Sequence, residues 1–214
     1  MFADPAIPHL LFVRPFVPAL SIAGLVAILA VSAALLRGSG DRPAPAQPLV
    51  REVAKGELVH RAGRMHRGDE AAPFTGVATD TWADGTPRSR LAYREGRLHG
   101  LVEGWHTNGV LQVREHFEDG VSHGLRSKFF PDGKPLSETP IVHGQVRGTF
   151  RRWHDNGRLA EEIPMEDGQP HGTSRAYYPS GTLKAEARTD HGKVLEHRVW
   201  KEGEAPADLA ASAR

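Results

Sequence analysis

Residues 100–124 read GLVEGWHTNGVLQVREHFEDGVSHG, and residues 148–172 read GTFRRWHDNGRLAEEIPMEDGQPHG. Each stretch begins on Gly and sets Trp105 or Trp153 before a His. Each then passes through Asn-Gly to Leu111 or Leu159 and closes on Asp-Gly and His-Gly. The same spacing extends along most of the chain. Gly76, Gly100, Gly124, Gly148 and Gly172 stand 24 residues apart. So do Gly85, Gly109, Gly133, Gly157 and Gly181, and so do Gly96, Gly120, Gly144, Gly168 and Gly192. Three columns at one period, without an insertion, define a repeat architecture and outrank any local motif. They take 15 of the 23 glycines, so the Gly excess is turn geometry and not flexibility.

Other columns keep the period. Trp105, Phe129, Trp153 and Tyr177 form an aromatic column that Thr81 begins, and Leu111, Leu159 and Leu183 share a column with Pro87 and Pro135. Tyr93, Phe117, Ile141 and Met165 form another, ending in Thr189. Asp-Gly and Asn-Gly between alternating segments are the strongest short hairpin signal, so each unit reads as two strands. Two turn geometries compete. A two-residue type I′ turn pairs Trp105 with Gln112, whereas a three-residue loop pairs Trp105 with Leu111. The second sets Trp153 beside Leu159 and Tyr177 beside Leu183. It also puts Pro131 and Pro179 at the first central position of a type I turn, where their fixed φ suits. The three-residue form with a glycine bulge is expected, and positive φ at Asn108 and Asn156 would contradict it. In the fourth unit, Leu159, Glu161, Ile163 and Met165 are expected on one side, and Arg158, Ala160, Glu162 and Pro164 on the other. That alternation marks half-exposed antiparallel strands. Five units give ten strands, an array roughly 48 Å long.

The expected fold is therefore all-β: a single elongated antiparallel sheet of stacked hairpins, preceded by one N-terminal transmembrane helix. The five units span residues 76–99, 100–123, 124–147, 148–171 and 172–195, and a final strand carries the array to 203. Residues 51–75 read as a leading partial repeat with a lead-in loop, including a hairpin from Leu58 to His66. Atypical ends of this kind shield a repeat array. Residues 204–214 read as a disordered tail.

The anchor lies upstream, in residues 1–37. From Phe16 to Leu36 there are 21 residues without a charge, enough for a helix of roughly 30 Å, one bilayer core. A cleaved signal peptide is the alternative, with an unusually long apolar region. The basic residues Arg37, Arg42 and Arg51 lean towards a cytoplasmic repeat domain, while a signal peptide implies export. Residues 38–50, which include GSGDRPAPAQP, have linker composition. A single-pass membrane location is expected, with the side of the array open.

These residues resemble the MORN-repeat family in its bacterial variant form. The resemblance rests on a unit running Gly, aromatic, Asn/Asp-Gly, Leu, aromatic, Gly, His-Gly, and it covers about residues 57–203. It implies stacked β-hairpins in one elongated sheet. It also implies binding of a protein partner or a membrane surface, in some members phosphoinositides. Many bacterial variants resemble antitoxins of the YwqK type, so neutralising a toxin by direct contact is the second reading. An envelope hydrolase or accessory subunit is a third. The sequence departs from the family pattern at Trp82, one place late, at Arg147, where His is usual, and at Pro140 and Pro164, inside second strands.

Composition narrows the chemistry. With 27 basic and 26 acidic residues the formal charge is +1, so no basic stripe favours a nucleic-acid partner. The absence of Cys removes disulfides, thiolate metal sites and a Cys nucleophile, and leaves the compartment open. There is no Gly-x-Ser-x-Gly, His-Glu-x-x-His, phosphate loop or dinucleotide fingerprint, so no catalytic, cofactor-binding or metal residue is assigned and no enzyme is expected. Seven of the 12 His share columns: His99, His123 and His171; His106 and His154; His143 and His191. Equivalent places in adjacent units are roughly 9–10 Å apart, too far to share one ion, although two columns meeting at a turn can. Their expected role is structural, as is that of the turn glycines Gly85, Gly109, Gly133, Gly157 and Gly181.

The candidate binding stripe is Trp105, Phe129, Trp153 and Tyr177 with Leu111, Leu159 and Leu183. It is either the core of a curved sheet or a groove for a partner or a second copy, a homodimer. Arg88, Arg90, Arg114, Arg151, Arg152 and Arg175 are interleaved with Glu103, Glu115, Glu161, Glu162 and Glu186, which reads as a mixed, solvated surface.

Overall fold

The computed structural model describes residues 51–204. The expected helix at 16–36, the linker and the tail beyond 204 lie outside the described residues. Among the described residues, no helix is long and apolar enough to cross a membrane.

The five units form ten strands in the expected order. They are β4 (Gly76–Thr81) with β5 (Pro87–Arg94), β6 (Arg97–Trp105) with β7 (Leu111–Glu118), and β9 (Gly124–Phe129) with β10 (Pro135–Val142). The last pairs are β12 (Gly148–Trp153) with β13 (Leu159–Glu166), and β15 (Gly172–Tyr177) with β16 (Leu183–Asp190). The final strand β17 (Lys193–Val199) pairs antiparallel with β16. Three two-residue strands, β8 (Val121–Ser122), β11 (Gln145–Val146) and β14 (Gln169–Pro170), follow the turns between units and pair antiparallel with the ends of the second strands.

The hairpin turns have the three-residue form. The Gly109 N–H donates to His106 O at 2.9 Å and the His106 N–H to Val110 O at 2.8 Å, which closes the loop around Thr107, Asn108 and Gly109. Asn108 and Asn156 keep negative φ, while Gly109 and Gly157 stand at +80° and +81°. Pro131 and Pro179 occupy the first central position, because the bonds Gly133 N–H to Phe130 O and Gly181 N–H to Tyr178 O enclose them. Trp82 takes the place of His106: its N–H donates to Thr86 O and its carbonyl accepts from Gly85. The late tryptophan therefore leaves the loop unchanged.

One feature was not legible in the pattern. Trp105 faces Leu111, but Gly104 faces Val113, so Gln112 has no counterpart. The same bulge recurs at Arg88, Leu136, Ala160 and Lys184. It corrects the strict alternation expected along the fourth unit. Ala160 is the extra residue and is buried, so regular alternation begins only at Glu161 and runs through Ile163 and Met165. A bulge adds a residue to one strand and increases local twist.

The turns between units are of a second kind. Glu95-Gly96, Asp119-Gly120, His143-Gly144, Asp167-Gly168 and His191-Gly192 have positive φ at both residues, the type I′ hairpin. These turns are stitched along the array. Gly96, Gly120, Gly144, Gly168 and Gly192 donate their N–H groups to Phe74, Leu98, Ser122, Val146 and Pro170 at 2.7–3.0 Å. Each donor is 22 residues after its acceptor. Pro140 and Pro164 fit inside β10 and β13 because the local link uses only their carbonyls: Arg147 N–H to Pro140 O at 3.1 Å and His171 N–H to Pro164 O at 2.9 Å.

Two parts of the expected architecture are corrected at the N-terminal end. The edge strand β1 (Glu52–Ala54) pairs parallel with β4, so the sheet is mixed and not wholly antiparallel. A short 3-10 turn, Lys55–Glu57, leads from it into β2 (Leu58–Arg61), and β2 with β3 (Arg64–Arg67) forms a separate two-stranded sheet. That hairpin crosses the end of the array instead of adding to it. The Met65 N–H donates to Gly96 O, and Phe74 N–H to Met65 O. The main core lies beneath: Val53, Leu58, Phe74, Ala78, Leu91, Val102 and Phe117, with Met65, Tyr93 and Leu98 packed on it. The column of Tyr93, Phe117, Ile141, Met165 and Thr189 lies opposite Gly76, Gly100, Gly124, Gly148 and Gly172 in the sheet. A missing side chain in one strand thus gives room to a large one in the next.

Candidate functional site

The sheet brings the sequence columns into rows. Trp105, Phe129, Trp153 and Tyr177 each face their expected partner: Leu111, Pro135, Leu159 and Leu183. Burial separates the row into two parts. Trp105, Leu111, Phe129, Trp153 and Leu159 are half-buried, whereas Tyr177 and Leu183 are 2% and 0% exposed. The stripe therefore presents apolar surface over the middle units and becomes interior at the fifth. The Tyr177 hydroxyl donates to Glu162 Oε1 at 3.2 Å. Burial, followed by the nearby Glu162 carboxylate, pushes its phenol up to about 12.

Beside the aromatics, charges are opposed strand by strand. Arg90 faces Glu103, which faces Arg114. Beyond Ser127 the row continues as Glu138, Arg151, Glu162, Arg175, Glu186 and Arg198. Arg114 reaches Glu103 at 2.9 Å and Arg175 reaches Glu186 at 3.0 Å. Ser127 stands where the alternation changes phase, between Arg114 and Glu138. Opposite charges in direct cross-strand pairs contribute roughly 0.2–1 kcal/mol each. The basic residues are thus matched within the sheet, which disfavours a broad anionic partner for this face.

The first-turn edge carries its own ladder. The His106 and His154 Nε2 atoms meet Phe129 O at 2.9 Å and Tyr177 O at 3.0 Å. Asn108 and Asn156 donate to Pro131 O and Pro179 O, both at 2.7 Å, and accept from Val110 and Arg158. Each of these His ties its first turn to a backbone carbonyl of the next unit.

The second-turn edge differs. Two His columns meet there, because the residue at a type I′ turn projects beside the His one unit earlier. His123 and His143 have ring centroids 4.9 Å apart, and His171 and His191 4.6 Å apart. Each pair is joined by a Glu from the preceding strand end, giving Glu118–His123–His143 and Glu166–His171–His191, with ligand atoms within 4.8 Å of one another. Asp190 stands beside the second set, 3.3 Å from His171 Nδ1 and 2.7 Å from His191 Nδ1. The hydrogen bond with His191, and then the nearby imidazoles of His191 and His171, hold the Asp190 carboxyl below its usual range.

Sequence reasoning allowed two columns to meet but did not pick out Glu118, Glu166 and Asp190. The available signal was a second period of 48 residues shared by Glu118/Glu166, His123/His171 and His143/His191. In the first unit the equivalent corner holds Arg94, His99 and Asp119, where Arg94 pairs with Asp119 at 2.9 Å. A shallow depression of about 440 Å³ opens there, lined by Arg64, Arg94, Glu95, Arg97 and Asp119.

The family model described as MORN repeat variant matches residues 98–119, 122–143 and 170–196. These three stretches carry repeats of the MORN-variant type. The unit between the second and third matches, residues 148–171, has the same hairpin, bulge and type I′ turn as its neighbours. A search of curated proteins found no match.

Proposed function

We propose that this repeat protein is a non-enzymatic scaffold that binds a protein partner along the stripe of Trp105, Phe129 and Trp153. On this reading the apolar segment at 16–36 holds it to a membrane. The observation that carries the reading is the shared register of the five hairpins. It sets the half-buried aromatics Trp105, Phe129 and Trp153 at intervals of roughly 9–10 Å, with Leu111 and Leu159 beside the two tryptophans. A partner with a matching apolar period meets several equivalent contacts at once, and aromatic anchors contribute most to such interfaces. The neighbouring Arg–Glu row supplies a neutral, hydrogen-bonding border.

Crosslinked pull-down of the full chain from membranes tests it. A Trp105→Ala/Trp153→Ala variant is expected to lose a partner that the parent captures, with its sheet signal in circular dichroism kept. Capture of the same partner by both would overturn the stripe. Membrane attachment has a separate test: fractionation with membranes should survive a high-salt wash and disappear when residues 1–37 are removed. Release of the full chain by salt alone would count against the anchor.

A further inference from the structure

We propose that Glu166, His171, Asp190 and His191 form a binding site for a divalent transition-metal ion of the zinc type, and that Glu118, His123 and His143 form a second, weaker one. Imidazole with carboxylate is the donor set that suits zinc, cobalt, nickel and copper, and it suits calcium and magnesium poorly. Around a tetrahedral ion with bonds near 2.1 Å, donor atoms stand about 3.4 Å apart. The ligand atoms of Glu166, His171 and His191, and those of Glu118, His123 and His143, already lie within 4.8 Å of one another in each set. The approaches of His191 and His171 to Asp190, 2.7 and 3.3 Å, are shorter than that. Side-chain rotation supplies the remaining movement, since Glu166 and His171 are about two-fifths exposed and Asp190 and His191 more than half.

The backbone beneath is fixed. His191 sits at positive φ in a type I′ turn, and the Gly192 N–H is bonded to Pro170 O at 2.8 Å, one residue before His171. The spacing of the two imidazoles is therefore set by the repeat and not by chance contact of long side chains. The His171 Nδ1 atom is shut off from solvent, and the polar group that faces it is the Asp190 carboxylate at 3.3 Å.

The two corners form an internal control. They are 48 residues apart in sequence, four strands in the sheet, roughly 19 Å. Each must hold its own ion. Among their acidic and histidine side chains they differ at one place: where the C-terminal corner has Asp190, the other has Val142. The corner between them has Arg147 and Asp167 in place of the two His and is not a candidate. An ion bound at His171 and His191 ties the fourth unit to the fifth, so occupancy stiffens the array near its C-terminal end.

The test is titration of the untagged full chain, in mild detergent, with zinc and with cobalt. Two equivalents are expected, the first tighter by about tenfold or more, with cobalt absorption in the visible of a low-coordinate nitrogen–oxygen site. His191→Gln should remove the tighter equivalent and His143→Gln the weaker. Val142→Asp should raise the weaker site to the level of the tighter, a gain that a misfolded variant cannot produce. No saturable uptake up to about 1 mM, or uptake unchanged in His191→Gln and in Val142→Asp, would overturn the proposal.

Discussion

At the N-terminal end, β1 adds to the array in parallel and the hairpin of β2 and β3 lies across it, so that Phe74, Ala78, Leu91 and Val102 fall to 3% exposure or less. At the C-terminal end, β17 pairs with β16 and all seven of its residues are exposed, Val194, Leu195 and Val199 by 48%, 45% and 56%. Both ends terminate the same hairpin stack. One is sealed by an element that abandons the repeat register; among the described residues, the other stops on an open edge strand. Lys193, Glu196 and Arg198 break up its apolar residues, which is how exposed edges limit unwanted pairing. A repeat has no core of its own until a neighbour covers it. Stability should therefore be concentrated at the sealed end and be lowest in the open edge strand.

The largest expected effect tests that contrast directly. Leu91→Ala removes a 3%-exposed side chain from the main core and should cost about 2–5 kcal/mol. Val199→Ala, at 56% exposure, should stay within about 0.5 kcal/mol. Urea unfolding of the two variants measures both. Equal losses would mean that the ends are energetically alike and that the hairpin across the first units does not act as a cap.

The second effect uses one glycine column. A Cβ at Gly76 would stand 2.2 Å from the Arg51 carbonyl oxygen and 2.9 Å from the Phe74 ring, at a φ of +149°. Backbone cannot yield there, so Gly76→Ala should displace β1, break the Val77 N–H to Arg51 O bond and cost about 3 kcal/mol. At Gly172 the nearest atom is Pro164 Cβ at 3.5 Å, an ordinary contact, and only the φ of +104° is strained. Gly172→Ala should cost about 1 kcal/mol. Hydrogen exchange on Val77 would separate the two: fast in Gly76→Ala, unchanged in Gly172→Ala. Protection at Val77 in both variants would show that β1 holds without that close approach.

The column itself was plain in the sequence, as were the hairpins, their three-residue loops and the facing of Trp105 with Leu111. Turn residues act locally, so Asn-Gly, Pro-Asp-Gly and the period suffice to read them. The crossing of β2 and β3 was not legible, because Leu58–Arg61 and Arg64–Arg67 have the same alternation whether they extend a sheet or cover it. The bulge at Gln112 and its equivalents also escaped the pattern. One extra residue changes register without changing composition, and only the facing of Gly104 with Val113 reveals it. For the candidate site, the aromatic row was readable but its burial at Tyr177 was not, since that depends on neighbours in other strands.

The smallest effect compares two tyrosines, one from each region. Tyr93 packs on the sealed core, and burial raises its phenol above the usual value. Tyr177 is raised by burial and also by Glu162, which accepts its hydrogen bond, to about 12. In the unfolded chain both ionise near pH 10. A raised folded pKa on an acid means that the unfolded state loses its proton first. The stability contributed by Tyr177 is therefore complete below about pH 10 and is lost as the pH rises from there to about 12. Glu162 and Arg175, its charged neighbours, are themselves about a quarter exposed and screened, so the loss should be about 1–2 kcal/mol, less than the full linkage. Tyr177→Phe should flatten that part of the alkaline decline in urea midpoint and remove the last phenol to ionise in an ultraviolet titration. Tyr93→Phe should remove an earlier one. If the two variants gave the same titration curve, the Glu162 contact would add nothing to burial, and the fifth unit would differ from the first only in what covers it.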